Sequence, residues 1–156
     1  MISSDTKLRL KTFMCIIGML FPIVLIFFGG LDVNSLSEYY YTDAKWAFVL
    51  ICLLMSGNMI TVDKWVVPAV LLMTIAIFPC KEFRILHNSS AIVFFLWGAV
   101  IMCKDKRLYW MGYVMLLSSI LYAISLYWCE VIQIFLISAF HLKYLYRIRK
   151  VKKLRD

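Results

Sequence analysis

The side chains with chemistry to offer are few: two histidines (His87 and His141), nine carboxylates and five cysteines at positions 15, 52, 80, 103 and 129 in 156 residues. Their spacing excludes the common constellations. There is no CxxC pair and no cysteine near a histidine at metal-ligand spacing. HExxH, GxSxG and Walker-type glycine loops are absent from the sequence. A zinc hydrolase embedded in a membrane would need several His and Asp ligands converging at one depth, and two distant histidines do not supply that set. No metal and no cofactor is therefore expected, and catalysis is the lesser reading. Cys80 and Cys129 stand where a disulfide is geometrically open in an oxidising space; the alternative for the cysteines is that of small apolar fillers.

The remaining polar groups form three sets. In the stretch 129–146, Glu130, Gln133, Ser138 and His141 fall within roughly 140° of one another at 100° per residue, so they share one face of a helix. Glu130 and His141 lie about 16 Å apart along that axis. Polar groups so placed either hydrogen-bond neighbouring helices or line a path between subunits. The second set is the run Ser37, Glu38, Tyr39, Tyr40, Tyr41, Asp43 and Lys45, to which His87 is added by topology. It suits an aromatic belt at a membrane interface, or a mixed-charge vestibule. The third is a basic tail with Lys143, Arg147, Arg149, Lys150, Lys152 and Lys153, suited to anionic lipid head groups or, in an oligomer, to an anionic or nucleotide ligand at the cytoplasmic face.

The elements that must position these groups follow from composition. Hydrophobic residues make up 63% of the chain and charged residues 17%, against about half and a quarter in soluble domains. A spanning helix takes about 20 residues, so the chain is expected to be one all-α polytopic transmembrane domain with no separate soluble part. Apolar stretches at about 12–28, 44–60, 65–79, 90–103, 108–127 and 129–146 give about six spans, with five as an alternative, followed by a basic tail at 147–156. The third and fourth are short. Placing both termini in the cytoplasm leaves only Lys45, Lys81 and Arg84 of the basic residues outside, and the two faces then carry about +10 and −2, in agreement with the net charge of +8 and the positive-inside rule. Lys7, Arg9 and Lys11 before an apolar run also describe a signal peptide, but no small-x-small site precedes Leu31, so the first span is expected to be retained. Ser56, Gly57 and Asn58 in the second span, and Ser118, Ser119 and Ser125 in the fifth, are expected to serve helix packing.

The tyrosine run carries a resemblance. Ser35, Ser37, Tyr39, Tyr40, Tyr41 and Thr42 form a Ser-x-Ser-x-Tyr-Tyr-Tyr-Thr sequence before the second span. With Phe48-Val49, Gly57, Asp63, Phe78-Pro79-Cys80, His87, Ser90-Ala91 and Phe94-Phe95 it resembles a family of small bacterial multi-span membrane proteins. Lys45 stands where arginine is expected and Leu50 where glycine is expected; the last third is similar chiefly at Glu130. The resemblance implies a six-span helical fold and brings no established reaction. Compact proteins of this kind also occur as membrane effectors in bacterial antiviral defence, where pore opening ends the infected cell. The first expectation is thus an oligomeric, channel-like or pore-forming protein of the bacterial inner membrane, a homo-oligomer open to a gating ligand. The alternatives are a lipid-handling protein or hydrolase working from the Tyr/Glu/His cluster, and a structural or accessory subunit.

Overall fold

The structure, a computed structural model, describes residues 4–153, with side chains described within 6–150. Among the described residues there are six α-helices and no strand: α1 (Ser4–Gly29), α2 (Lys45–Met59), α3 (Val66–Ile77), α4 (Arg84–Cys103), α5 (Tyr109–Ser118) and α6 (Leu126–Lys153). Three 3-10 segments join them, Leu36–Tyr41 before α2, Asp63–Trp65 before α3 and Ser119–Ala123 after α5. Three helices are long and apolar enough to cross a membrane, over Thr6–Gly29, Arg84–Cys103 and Leu126–Lys150. The broad apolar exterior, with Phe27, Ile85 and Ile124 each more than four-fifths exposed, is that of a bundle whose sides do not face water.

The six helices follow the order of the apolar stretches, but several boundaries differ. The helix matching the fourth stretch starts at Arg84 rather than near 90. His87, Asn88 and Ser89 read as a polar link, yet His87 turns inward, only 2% exposed, and its polarity is satisfied inside the bundle. The fifth stretch is α-helical only to Ser118 and then tightens into the 3-10 turn. The expected basic tail continues α6 without a break to Lys153. α3, at 12 residues, is short as expected, about 18 Å long, whereas α4, also expected to be short, has 20 residues because its polar first turn is helical.

Each helix packs on its neighbours in sequence, and α6 closes back on α1, so the chain forms an up-and-down ring. Both described ends of the chain lie at one end of the ring, the terminal end; the Leu36–Tyr41 segment lies at the other, the cap end. Polar side chains tie adjacent helices. Ser56 Oγ of α2 donates to the Ala69 carbonyl of α3 at 2.5 Å, and Asn58 Nδ2 reaches Cys15 Sγ of α1 at 3.4 Å. Gly18 of α1 stands where Ser138 Oγ of α6 would lie 2.5 Å from a Cβ, so these two helices meet at a residue without a side chain.

At the terminal end, the α4/α5 turn is organised by Asp105. Its Oδ1 accepts the N–H groups of Arg107 and Leu108 at 2.9 Å each, and its carboxylate pairs with Arg147 of α6 at 3.1 Å. Burial raises this carboxyl, but the Arg107 N–H, the Arg147 guanidinium and the Leu108 N–H outweigh it and hold the group below the usual carboxylate range. At the cap end α1 stops at Gly30, whose φ of +76° is open to glycine and costly for most other residues.

α4 and α5 come backbone to backbone at Gly112. A Cβ on Gly112 would sit 2.6 Å from the Cys103 backbone nitrogen and 2.8 Å from the Ala99 carbonyl oxygen, whereas one on Gly57 would meet nothing within 4 Å. Gly112→Ala therefore forces two backbones apart and is expected to destabilise by about 1–3 kcal/mol. Gly57→Ala removes only a helix-interior glycine and is expected to be neutral or stabilising by up to about 1 kcal/mol. Thermal unfolding of both variants in one detergent checks the contrast.

Candidate functional site

The Leu36–Tyr41 segment is too short to satisfy its own backbone, and it lies folded into the bundle with Leu36, Ser37 and Tyr39 buried. Other helices supply the partners. The Leu36 N–H donates to Glu130 Oε2 of α6 at 2.7 Å. His87 of α4 places Nε2 2.8 Å from Ser37 Oγ and Nδ1 2.7 Å from the Phe78 carbonyl oxygen. A carbonyl only accepts, so Nδ1 carries the ring proton and Nε2 accepts from the Ser37 hydroxyl. Tyr39, fully buried, donates its hydroxyl to the Gly30 carbonyl at 2.6 Å and approaches Tyr127 ring to ring.

The next two tyrosines are half-buried. Tyr41 donates its hydroxyl to Glu82 and accepts the Lys81 N–H, while Lys45 and Lys81 lie over the Tyr40 and Tyr41 rings at 4.1 and 4.3 Å. Desolvation and the Glu82 carboxylate push the Tyr41 hydroxyl up to about 12, and the same hydrogen bond holds Glu82 below its ordinary value. Glu38 accepts from the Asn34 N–H at 2.8 Å, and Asp43 is exposed. The structure thus links two sets that the sequence treats separately: the segment that carries Ser37 and Tyr39, with His87 bonded to Ser37, is tied to Glu130 of the α6 face through the Leu36 N–H.

Beneath this cap lies a cavity of about 500 Å³ between α4, the α5 end and α6. Its walls are largely apolar, with Ala91, Phe95 and Met115 among them, and Asn88, Ser119, Glu130 and Gln133 supply polar groups. Gln133 Nε2 donates to Ser119 Oγ at 3.1 Å. The rim is made by exposed Ile92, Leu96, Leu116 and Tyr122, so the cavity opens through the side of the bundle.

The α6 face itself is divided. Glu130 and Gln133 line the cavity, Ser138 stands against Gly18, and His141 lies at the terminal end against the Trp65 ring, 4.3 Å between centroids. All four are buried within the single chain, with Ile134 and Ile137 buried between them. Of the basic set, Arg147 pairs with Asp105, Lys143 lies 5.2 Å from the centre of the Trp110 ring, and Arg149 and Lys150 are exposed. The side chains of Lys152 and Lys153 lie outside the described residues. The cysteines within them are free thiols, Cys80 and Cys129 included, and no group of three His, Cys, Asp or Glu side chains is placed to hold a metal ion among the described residues.

Sequence reasoning assigned Ser119 only to packing. Its pairing with Gln133 could have been found from the hairpin, because the two lie at equal distances on either side of Leu126, where α6 begins. Compared with protein-family models, curated proteins and solved structures, the chain matches none.

Replacing Glu130 tests the cap. Glu130→Gln keeps an oxygen for the Leu36 N–H and is expected to change stability little. Glu130→Leu leaves that buried N–H unpaired and is expected to cost about 1–3 kcal/mol. Thermal melts of the two variants in the same detergent give the comparison.

Proposed function

We propose that this chain is a multi-pass membrane protein that binds the tail of a lipid or another amphiphile in the lateral cavity between α4, α5 and α6. In this reading all six helices cross the bilayer, the terminal end faces the cytoplasm and the cap end faces the opposite side. The charge distribution supports that orientation, since Lys45, Lys81 and Arg84 are the only basic residues it leaves at the cap end. α3 is tolerated as a short span because α2 and α4 flank it.

The observation that carries the proposal is the cavity. Its volume of about 500 Å³ lies in the range of small-molecule sites, and an apolar lining with a few convergent polar groups is their usual character. Its rim of Leu, Ile and Tyr side chains lies on the lateral surface, where hydrocarbon rather than water would meet it. Glu130, Gln133 and Ser119 offer hydrogen bonds to a hydroxyl, amide or amine near the head of the amphiphile. Binding is preferred to conduction along α6 because the polar residues of that helix are buried inside one chain and parted by close-packed isoleucines.

The test is the lipid that travels with the purified protein. Extraction from membranes followed by lipid mass spectrometry is expected to find an amphiphile retained by the wild type. Ala91→Trp, which places an indole in the cavity, is expected to reduce that retention by at least about tenfold without lowering the melting temperature. Equal retention by the variant, or none by either protein, would exclude the cavity as a binding site.

A further inference from the structure

At the terminal end a second depression, of about 380 Å³, opens where α1, the α2/α3 turn, the α4/α5 turn and α6 meet. Its apolar floor includes Trp65 and Phe140, and Lys11, Lys64 and Lys104 stand around it, each from a different part of the chain. Asp63 shares the rim; Asp105, also present, is engaged by Arg147. His141 forms part of the wall and is only 5% exposed. Its Nδ1 lies 2.9 Å from the Ile137 carbonyl oxygen and therefore carries the ring proton. Nε2 is left as an acceptor, and it has no partner. A buried acceptor without a donor is costly, and the residue that carries it stands in the wall of a pocket also lined by three lysines.

These features restrict the ligand. Three lysines select an anion, while the imidazole needs a group that brings a proton. A carboxylate or a phosphodiester has none to offer at neutral pH. A phosphate monoester does, because its second ionisation lies near pH 6. We propose that this pocket binds a phosphate monoester, with its anionic oxygens toward Lys11, Lys64 and Lys104 and one P–OH oxygen on His141 Nε2. The proton is shared along that O···N line: either the hydroxyl donates to the neutral ring, or the ring takes the proton and donates to the dianion as a charge-assisted bond. No bond to phosphorus changes. The phosphate can belong to a lipid of the phosphatidic acid type in the adjoining leaflet or to a soluble phosphate. This inference concerns the end of the bundle opposite the amphiphile cavity and stands without it.

With two histidines in the chain, ¹⁵N-histidine labelling reads the pocket directly. The full chain is placed in phosphatidylcholine nanodiscs alone, with added phosphatidic acid, or with phosphatidylglycerol as the diester control; inorganic phosphate is titrated into the first. The His141 Nε2 resonance, assigned with His141→Asn, is expected to shift with phosphatidic acid, with inorganic phosphate or with both, and those arms name the source. Phosphatidylglycerol should leave it in place, and His87 should not respond. The combined Lys11→Ala, Lys64→Ala and Lys104→Ala variant changes side chains at or near the surface and is expected to weaken the response by at least about tenfold. Ala91→Trp should leave it intact, so failure here is separable from failure of the amphiphile reading. An unmoved His141 resonance in both phosphate arms would overturn the proposal, as would an equal shift with phosphatidylglycerol or an unweakened triple-lysine variant.

Discussion

The hydrogen bond from the Leu36 N–H to the Glu130 carboxylate is the interaction on which the cap end depends. A 3-10 turn folded among helices brings backbone N–H groups out of water, and each one left unpaired is costly. The chain meets that demand from two distant helices, since α6 supplies Glu130 and α4 supplies His87 to Ser37. The consequence is topological. A segment between α1 and α2 is bonded to the later helices, so the start and finish of the chain are drawn together and the ring closes at α1 and α6. The same carboxylate then forms part of the wall of the lateral cavity, so the group that fastens the cap also gives the cavity its polar character.

Much of the fold is legible in the sequence because apolar length is a direct signal. Each of the six stretches overlaps one α-helix for most of that stretch or helix, and the short third is explained by the turn at Asp63 and the break at Phe78. The signal fails where polarity is satisfied internally. Arg84, His87, Asn88 and Ser89 look like a loop, but His87 faces the cap segment and the helix runs through them. The tyrosine run suits an interfacial belt by composition, and the structure gives its members different tasks: Tyr39 is buried on Gly30, while Tyr40 and Tyr41 each take a lysine over the ring.

The candidate sites were less legible for a physical reason. Angular position identifies a shared helix face, but it does not say what packs against each turn of that face. Glu130, Gln133, Ser138 and His141 meet the cap segment, Ser119, Gly18 and Trp65 respectively. A cavity is a mismatch between packed surfaces, here with Ala91 and Ala99 opposite Met115, and no single stretch of sequence records it. The pocket at the terminal end has the same origin. Lys11, Lys64 and Lys104 read separately as topogenic charges, and only the closed ring gathers them around His141. α6 contributes to both sites, with an apolar cavity near one end and a basic pocket near the other.

The lateral cavity shares Glu130 with the Leu36–Tyr41 segment, which that carboxylate holds closed over the cap end. Hydrogen–deuterium exchange of the full chain in nanodiscs measures that closure residue by residue. The Leu36 amide, bonded to Glu130, should exchange far more slowly than the amides of exposed Leu31 and Asp32, and Glu130→Leu should release it. A Leu36 amide that exchanges as fast as those of Leu31 and Asp32 in the wild type would contradict a cap held closed by Glu130.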